Sequence, residues 1–429
     1  MANTFQILTF GCKVNQYESQ AISELFLREG FRQIDNGLSA DIYVLNTCTV
    51  TQKTDEECLR LTRQLIRRNP QSKIIVTGCF IQDDRNIEKV KNLSWSNLII
   101  AKNSEKSRLP HIVLGKDEQS RASCERDLYI SDFFNHSRAF LKIQDGCSNS
   151  CSYCKIPLVR GASRSRDPGL ILDEAKRLID KGFKEIVLCG ICLGAFGKDL
   201  IPKIELTDLI EDLENINADF RIRLSSIEAT DVTPRLIEKM GSSKKICRHL
   251  HIPFQSGDDK TLSLMNRKLK SDDYKRLIEF IRKKIPDIAI TSDIMVGFTG
   301  EEKESFQNTL NFVNQISPSR LHIFPYSPRP GTASFSFPNR PTEKVVKERM
   351  GTLSLLAREF SYNYRKIFIN KTVRVLVESR LDKKTGQLSG YSDNYIRVVF
   401  KAKFELKNCL VPVRIEDVTI DYTKGQMQA

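Results

Sequence analysis

The chain has 429 residues, of which 40% are hydrophobic, and this length is typical of about three domains. No apolar stretch approaches the ~20 residues of a membrane span, and the first residues lack the basic and apolar segments of a signal peptide. We therefore expect no membrane association and a cytoplasmic location. The formal net charge of +14 favours a polyanionic partner such as nucleic acid, with general surface basicity as the alternative. Twelve cysteines without an export signal favour reduced thiols and metal binding over disulfides.

The N-terminal part of the chain alternates apolar runs with helical patterns. Strands are predicted at 3–10, 41–46 and 73–78. Helices are predicted at 15–29, which is followed by a glycine, and at 54–69, which is followed by a proline. A β-α-β-α-β alternation predicts a parallel sheet, whose ligands gather at the carboxyl ends of the strands.

Three cysteines follow these strands directly: Cys12, Cys48 and Cys79. The carboxyl ends of parallel strands meet at one edge of a sheet, so we expect the three thiols to converge there. Three thiolates make an incomplete iron–sulfur cluster site. The alternative is three unrelated buried cysteines. Cys58 lies on the apolar face of the second helix, where core packing is the predicted role.

The segment 111–135 is polar, has little periodicity and is predicted to be a connector. After it, six strand-like runs alternate with helices, and this pattern predicts a partial, three-quarter (β/α)6 barrel of TIM type. The runs lie at 139–144, 185–190, 220–226, 249–255, 288–298 and 320–326. The intervening helices have recognisable starts at Asp167, Thr233 and Ser271.

A second cysteine group stands in the loop after the first barrel strand. Cys147, Cys151 and Cys154 have the spacing C-x3-C-x2-C, one ligand short of the four that usually hold a [4Fe–4S] cluster. An iron without a protein ligand is an open coordination site that a small molecule can chelate. The alternatives are half of a zinc site and a chance grouping.

The C-terminal part begins with a long predicted helix at 341–368. Short strand-like runs follow it, and a five-stranded, OB-like barrel is predicted. Residues 366–429 contain 12 Lys or Arg and 7 Asp or Glu, a surplus of 12 − 7 = +5. A small basic barrel is suited to binding RNA. The alternative is a dimerisation or capping domain.

The motifs together resemble those of the methylthiotransferases of the radical S-adenosylmethionine (SAM) class. In chain order they are TFGCKVNQYES, NTCTVT, TGCF, DGCSNSCSYCKIP, RGASRSR, HIPFQSGDDKTLSLMNR, DIMVGFTGE and FPYSPRPGTA. The resemblance covers nearly the whole chain. It implies an α/β protein with an N-terminal methylthiotransferase domain at 1–110, a linker at 111–135, a radical SAM barrel at 136–365 and a TRAM RNA-binding domain at 366–429.

The resemblance also implies a reaction and its cofactors. The barrel triad, Cys147, Cys151 and Cys154, would hold the [4Fe–4S] cluster that cleaves SAM to a 5′-deoxyadenosyl radical. The sheet triad, Cys12, Cys48 and Cys79, would hold an auxiliary [4Fe–4S] cluster for the added sulfur. A methylthio group then replaces the hydrogen on C2 of an adenine in tRNA. An electron donor such as flavodoxin or ferredoxin and a sulfur donor are implied partners.

The run FGCKVNQYES resembles the branch that modifies N6-threonylcarbamoyladenosine next to the anticodon. The isopentenyladenosine branch more often reads Y-G-C-Q-M-N. Three alternatives stay open: isopentenyladenosine in tRNA, an aspartate of a ribosomal protein, and a non-catalytic iron–sulfur protein that binds RNA or senses redox state.

Barrel ligands lie at the carboxyl ends of the strands, and this rule predicts a set of SAM contacts. Glycines allow close backbone approach, and carboxylate or amide side chains can pair with ribose hydroxyls. The predicted contacts are Tyr153, Gly190, Ser226, Glu228, Gln255 and Gly297.

Some further positions have open interpretations. The arginines of RGASRSR (Arg160, Arg164 and Arg166) are predicted to contact RNA phosphates or to form a solvated basic loop. Cys189 and Cys192 form C-x2-C at the end of the second barrel strand, and a role inside the barrel is favoured over metal ligation. Packing is the predicted role of the isolated cysteines, which are Cys124, Cys247 and Cys409.

Overall fold

A computed structural model describes residues 3–34, 38–116, 128–134, 136–402 and 406–428. Cys124 lies outside the described residues. Within these ranges the chain forms a mixed α/β structure with two parallel sheet systems and a C-terminal β-barrel. Among these residues, no helix is long and apolar enough to cross a membrane.

The N-terminal sheet is five-stranded and wholly parallel, in the order β2-β1-β3-β4-β5. Its strands are β1 (Thr4–Thr9), β2 (Arg32–Gln33), β3 (Ile42–Thr47), β4 (Lys73–Gly78) and β5 (Leu98–Ile100). Its helices are α1 (Lys13–Arg28), α2 (Gln52–Arg68), α3 (Asp84–Lys91) and α4 (Leu109–Leu114). The three predicted strands and two predicted helices are confirmed. Helix α2 begins before the predicted residue 54, because the Thr51 hydroxyl accepts a hydrogen bond from the Thr54 amide at 3.2 Å.

Helix α1 belongs to two cores at once. Phe26 packs with Phe5 of β1 in the N-terminal core, whereas Val14 and Tyr17 lie in the core of the central barrel. The Tyr17 hydroxyl also donates to the Leu128 carbonyl at 2.9 Å. Since α1 starts directly after Cys12, this packing fixes the sheet edge against the barrel.

The central part contains eight strands and eight helices. The strands are β6 (Ala139–Lys142), β7 (Gln144–Asp145), β8 (Arg164–Ser165), β9 (Glu185–Cys189), β10 (Arg221–Leu224), β11 (His249–His251), β12 (Ala289–Val296) and β13 (Arg320–Pro325). The helices are α5 (Ile156–Arg160), α6 (Pro168–Asp180), α7 (Leu206–Glu214), α8 (Pro234–Ser242), α9 (Asp259–Leu264), α10 (Ser271–Lys284), α11 (Lys303–Ile316) and α12 (Glu343–Lys366).

Six of these strands form the predicted partial barrel. Strands β6, β9 and β10 form one parallel sheet and β11, β12 and β13 another. Parallel bridges from Ile222 to Ile246 and from Ser226 to His251 join the two sheets. The strand order is therefore β6-β9-β10-β11-β12-β13. Among the described residues, β6 and β13 are not hydrogen-bonded to each other, so the barrel has an open seam between them.

The predicted helix starts agree with the structure. The Asp167 carboxylate accepts from the Leu170 amide at 3.0 Å, and the Thr233 hydroxyl accepts from the Leu236 amide at 3.2 Å. Helix α10 begins at Ser271 as expected. These caps satisfy amides that have no partner inside the first helical turn.

The C-terminal strands close into a barrel in the order β14-β15-β16-β18-β17. They are β14 (Thr372–Val377), β15 (Leu388–Ser392), β16 (Arg397–Lys401), β17 (Leu410–Val418) and β18 (Thr423–Met427). Strand β18, with the sequence TKGQM, shows no apolar alternation. It forms because its backbone pairs with β16 on one side and β17 on the other, which removes the free sheet edges. The division of the chain after residues 110, 135 and 365 stays a prediction.

Candidate functional site

The sheet triad lies at the carboxyl ends of three neighbouring strands. Cys12 and Cys48 follow β1 and β3 in the loops after them, and Cys79 follows β4 directly. Cys48 and Cys79 are buried, whereas Cys12 is exposed. Gly11 has φ +98°, and a Cβ at this position would lie 2.8 Å from the Cys48 sulfur. A glycine at this position therefore keeps space open beside the Cys48 thiol.

The thiols of this triad act on one another electrostatically. Burial, with smaller contributions from the charges of Cys79 and Cys12, raises the pKa of Cys48 to about 11. Burial also raises the pKa of Cys79, and the nearby Arg160 opposes that rise. Thiolates crowded in this way are stabilised by a cationic group bound among them, as the irons of a cluster are.

Arg160 joins the sheet triad to the central barrel. It is the last residue of α5, after the barrel triad, and its side chain is only 2% exposed. Its Nε donates to the Cys79 sulfur at 3.2 Å. Its Nη1 donates to Glu18 of α1 at 2.7 Å and to Asp145 of β7 at 3.0 Å. One guanidinium therefore binds a thiol of the first triad and the strand that precedes the second.

Further buried charges complete this network. Glu18 also accepts from Lys106 at 2.5 Å and from Lys142 at 3.1 Å. Burial would raise the pKa of Glu18, but Arg160, Lys106 and Lys142 together lower it well below its usual range. The carboxylate is therefore ionised, and the network of two carboxylates, Glu18 and Asp145, and three cations carries one surplus positive charge beside the sheet triad.

The expectation for the RGASRSR arginines is wrong at two of three positions. Arg160 is buried, and Arg166 is mostly buried, donating to the Lys142 carbonyl and to Glu174. Only Arg164 is exposed. Burial among carboxylates on α1 and α6 takes the first and third arginines away from solvent and from RNA, because each is the counterion of a buried acid.

The barrel triad lies in the loop between β7 and α5. Burial raises the pKa of Cys154 to about 12, and the charges of Cys151 and Cys147 add to the rise. Cys147 has a pKa lowered to about 7, chiefly because the Cys192 thiol donates a hydrogen bond to it. The three thiols thus lie within electrostatic range of one another in one loop.

Cys189 and Cys192 border the two triads. Burial raises the pKa of Cys189, and the charge of Cys12 raises it further. Cys192, three residues on, is hydrogen-bonded to Cys147. The end of β9 therefore lies within electrostatic range of one thiol of each triad.

The donor sets fit clusters better than single ions. All eleven described cysteines are free thiols. Across the described ranges, no group of three or more His, Cys, Asp or Glu side chains is arranged to hold a metal ion. A [4Fe–4S] cluster places each cysteine on a different iron, which spreads the sulfurs apart. Two sets of three thiols, each with an unfilled fourth position, suit two such clusters.

The predicted SAM contacts lie at the carboxyl ends of the barrel strands, but two of them have structural explanations. A Cβ at Gly297 would lie 2.4 Å from Val346 of α12, and a Cβ at Gly190 would lie 2.9 Å from the Gln144 side chain. Close packing therefore accounts for both glycines. Ser226, by contrast, lines the large cavity of the barrel.

The other predicted contacts have polar or aromatic surroundings. Glu228 accepts from Arg267 at 2.6 Å, and both line a shallow cavity of about 90 Å³ with Cys151. Gln255 has φ +69°, and its buried Oε1 has no hydrogen-bond partner in the described part of the chain. Tyr153 packs edge-on against Phe298, with ring centroids 6.3 Å apart. An unpartnered buried acceptor such as that of Gln255 suits a bound ligand.

A cavity of about 700 Å³ occupies the barrel interior. Barrel residues such as Ser226, His249 and Arg320 line it, and Tyr395 of the C-terminal barrel closes one end. Lys13, next to Cys12, also lines it. The volume is that of a site for a nucleoside-sized molecule.

Sequence comparisons identify the family. Residues 4–100 match the Uncharacterized protein family UPF0004, and residues 141–313 match the Radical SAM superfamily. The threonylcarbamoyladenosine tRNA methylthiotransferase MtaB of Bacillus subtilis is 36% identical over 97% of this chain and 95% of its own length. The MtaB of Thermotoga maritima is 38% identical over 92% of this chain and 91% of its own length. The chain belongs to the radical SAM tRNA methylthiotransferases.

Other members and more distant structures agree with this family. The tRNA-2-methylthio-N(6)-dimethylallyladenosine synthase of Pelotomaculum thermopropionicum is 33% identical over 98% of this chain and 97% of its own length. The radical SAM methyltransferase TsrM from Kitasatospora setae has a TM-score of 0.56 at 12% identity, covering 78% of this chain and 77% of its own. Its likeness shows the shared fold. As a member of this family, the methylthiotransferase uses SAM and two [4Fe–4S] clusters.

The sequence alone did not reveal the buried network of this methylthiotransferase. Asn15 and Glu18 face Arg160, and Arg267 faces Glu228. One signal was present: Asn15 and Glu18 are polar residues three apart on one face of α1, directly after Cys12. Polar residues on the face that a helix buries indicate a paired charge or a site.

Proposed function

We propose that the enzyme methylthiolates C2 of N6-threonylcarbamoyladenosine next to the anticodon of tRNA. The names of the Bacillus subtilis and Thermotoga maritima relatives specify this nucleoside. The N-terminal run FGCKVNQYES supports the same branch.

One observation is the main support for the proposal. The end of β9 is close to a thiol of each triad: Cys189 lies within electrostatic range of Cys12, and Asn149 donates to both Cys147, at 3.4 Å, and Cys192, at 3.8 Å. A reaction that joins a radical source to a sulfur source needs both at close range. Two thiol triads that both approach one strand end support that requirement.

The proposal assigns the ligands and contacts by position. Cys147, Cys151 and Cys154 would hold the SAM-cleaving cluster, and Cys12, Cys48 and Cys79 the auxiliary cluster. These groups supply the radical and the sulfur when bound, and that chemistry is the cofactors' own. Ser226, Glu228 and Gln255 are the preferred SAM contacts, with Tyr153, Gly190 and Gly297 shaping the surrounding backbone and packing.

The remaining residues position the base and keep water out. Arg160 holds Cys79 and Asp145 in one network, so it sets the distance between the sheet edge and the barrel. The cavity receives the adenine, and Tyr395 closes its far end. The basic C-terminal barrel would bind the tRNA backbone.

The proposal extends to partners and place. A low-potential protein such as flavodoxin or ferredoxin would donate the electron for SAM cleavage, and a separate sulfur donor would renew the added sulfur. A tRNA substrate implies action in the cytoplasm. The four-part division at 1–110, 111–135, 136–365 and 366–429 assigns one of these tasks to each folded part.

The test is mass spectrometry of tRNA nucleosides from cells with and without the gene. We expect the methylthio form of threonylcarbamoyladenosine to vanish and its precursor to accumulate. Loss of the isopentenyl form instead would contradict the substrate but keep the chemistry. No change in either nucleoside would point to the ribosomal-protein substrate.

A further inference from the structure

The open seam of the barrel is bordered by cations. Arg138 directly precedes the edge strand β6, and Arg320 is the first residue of the edge strand β13. Both arginines line the cavity of about 700 Å³. Lys13, the first residue of α1, lines the same cavity. A nucleotide that enters through the seam meets positive charge from three elements.

These cations differ in whether they already have a partner. Arg138 pairs with Glu185 and Glu378. The Lys13 side chain has no carboxylate partner and no hydrogen bond within the part of the chain that the structure describes. Its side chain is half-buried. A half-buried ammonium without a counterion suits an anionic ligand.

Lys13 also connects the cavity to the sheet triad, because it lines the cavity and is the sequence neighbour of Cys12. It follows Cys12 directly and begins α1, which is packed into the barrel core. Burial lowers the pKa of His249 well below its usual range, and the Lys13 charge contributes to that fall. The ammonium therefore faces the barrel strands.

The substrate has one group that matches it. In N6-threonylcarbamoyladenosine, C2 and the carbon that bears N6 are both bonded to the same ring nitrogen. C2 and N6 therefore lie on the same edge of the purine, and a threonyl substituent turned toward N1 brings its carboxylate to the side of the ring that carries C2. The isopentenyl substituent is apolar and uncharged, so charge is the property that separates the two substrates.

We propose that Lys13 binds the carboxylate of the threonylcarbamoyl group and thereby selects threonylcarbamoyladenosine. The inference rests on the proposed function. A tRNA phosphate is the other source of an anion at this position, and the two sources are separable because only the carboxylate belongs to the modification.

The test measures binding to the anaerobically reconstituted holoenzyme by fluorescence anisotropy. The probes are anticodon stem-loops of one sequence with threonylcarbamoyladenosine, its carboxyl methyl ester or plain adenosine at the target position. We expect wild type to bind the acid about tenfold more tightly than the ester. Lys13→Gln should remove that preference and leave binding to the ester and to plain adenosine unchanged. Lys13→Arg should restore most of it.

The outcomes separate the inference from the proposed function. An equal loss of affinity for all three loops in Lys13→Gln would assign Lys13 to a phosphate and overturn the inference. An undiminished preference in Lys13→Gln would also overturn it. If wild type itself shows no preference for the modified loop over plain adenosine, the proposed function fails instead. Arg380→Gln, at the far end of the cavity, is the control and should keep the preference.

Iron content serves as the folding check. Lys13→Gln should hold the same iron per protein as wild type, because the side chain is half-buried and pairs with no other residue of the described chain. A change in binding at equal iron content then reports the ammonium alone. Loss of iron in Lys13→Gln but not in Lys13→Arg would show that the Lys13 charge is needed to hold the auxiliary cluster. This result would overturn the inference.

Discussion

The two cysteine triads reach similar chemistry by opposite routes. The barrel triad is local: Cys147, Cys151 and Cys154 share one loop, and their spacing brings the thiols together. The sheet triad is assembled from three strands far apart in the sequence, over a buried layer of Glu18, Lys106, Lys142 and Arg160. A local site needs only a loop, whereas a dispersed one needs a rigid sheet and a buried network of paired charges that holds the strand ends in place.

The largest expected effect separates the tasks of the two triads. Replacing Cys12, Cys48 and Cys79 with Ala should leave SAM cleavage measurable, while methylthiolated product falls to background. Replacing Cys147, Cys151 and Cys154 with Ala should abolish both, because SAM then has no cluster to bind. The measurements are 5′-deoxyadenosine and modified nucleoside from the same anaerobic reaction. A wild-type amount of methylthiolated product from the first variant would contradict a role for two clusters.

The support under the sheet triad should be costly to break. Arg160→Met removes the hydrogen bonds that one buried guanidinium donates to Glu18, Asp145 and Cys79, and we expect this loss of a buried ion-pair partner to lower the free energy of unfolding by about 3–5 kcal/mol. Arg164→Met, four residues on and exposed, should change it by less than about 0.5 kcal/mol. Urea unfolding of the two variants side by side measures the difference. Equal stability would show that the barrel and sheet edge are held together by other contacts.

The space beside Cys48 should be needed for the auxiliary cluster. Gly11→Ala puts a Cβ 2.8 Å from the Cys48 sulfur at φ +98°, at a cost of about 1–2 kcal/mol from backbone strain alone. We expect iron per protein to fall toward that of the triple sheet-triad variant. Gly30→Ala is the matched control, since Gly30 has φ +82° and open space at its Cβ. Equal iron in both variants would mean that the triad tolerates the added methyl group.

The smallest effect is expected at Cys192. Its thiol hydrogen-bonds to Cys147, but a packing role is favoured over ligation. Cys192→Ala should keep the iron content of wild type and change the rate of SAM cleavage by less than about tenfold, the range of one lost hydrogen bond. Cys151→Ala, in the barrel triad, should lose iron under the same conditions. Iron loss in Cys192→Ala would make Cys192 a ligand.

The contrast between the triads also explains what the sequence could predict. Spacing alone grouped the barrel triad, and strand periodicity predicted that Cys12, Cys48 and Cys79 converge at one sheet edge, as the strand order shows; their role as cluster ligands stays a prediction. The prediction that the RGASRSR arginines are exposed was wrong for Arg160 and Arg166. A basic run is expected to face solvent, and the buried acids that pair with it are visible only in the structure. Strand β18 was not recognised individually, because its sequence TKGQM has no apolar alternation. Its strand conformation depends on backbone pairing with β16 and β17.

The sequence by itself determined the class of chemistry and the order of the folded parts. Cysteine spacing and hydrophobic periodicity are local properties of the chain, so both can be recognised from the amino-acid sequence. The tertiary structure alone decided the partners of charged residues: Arg160 on Cys79, Glu18 on Lys106, and Lys13 with no carboxylate paired to it among the described residues. The physical reason is that a charge acts through space, and the distances that govern it exist only after the chain has folded.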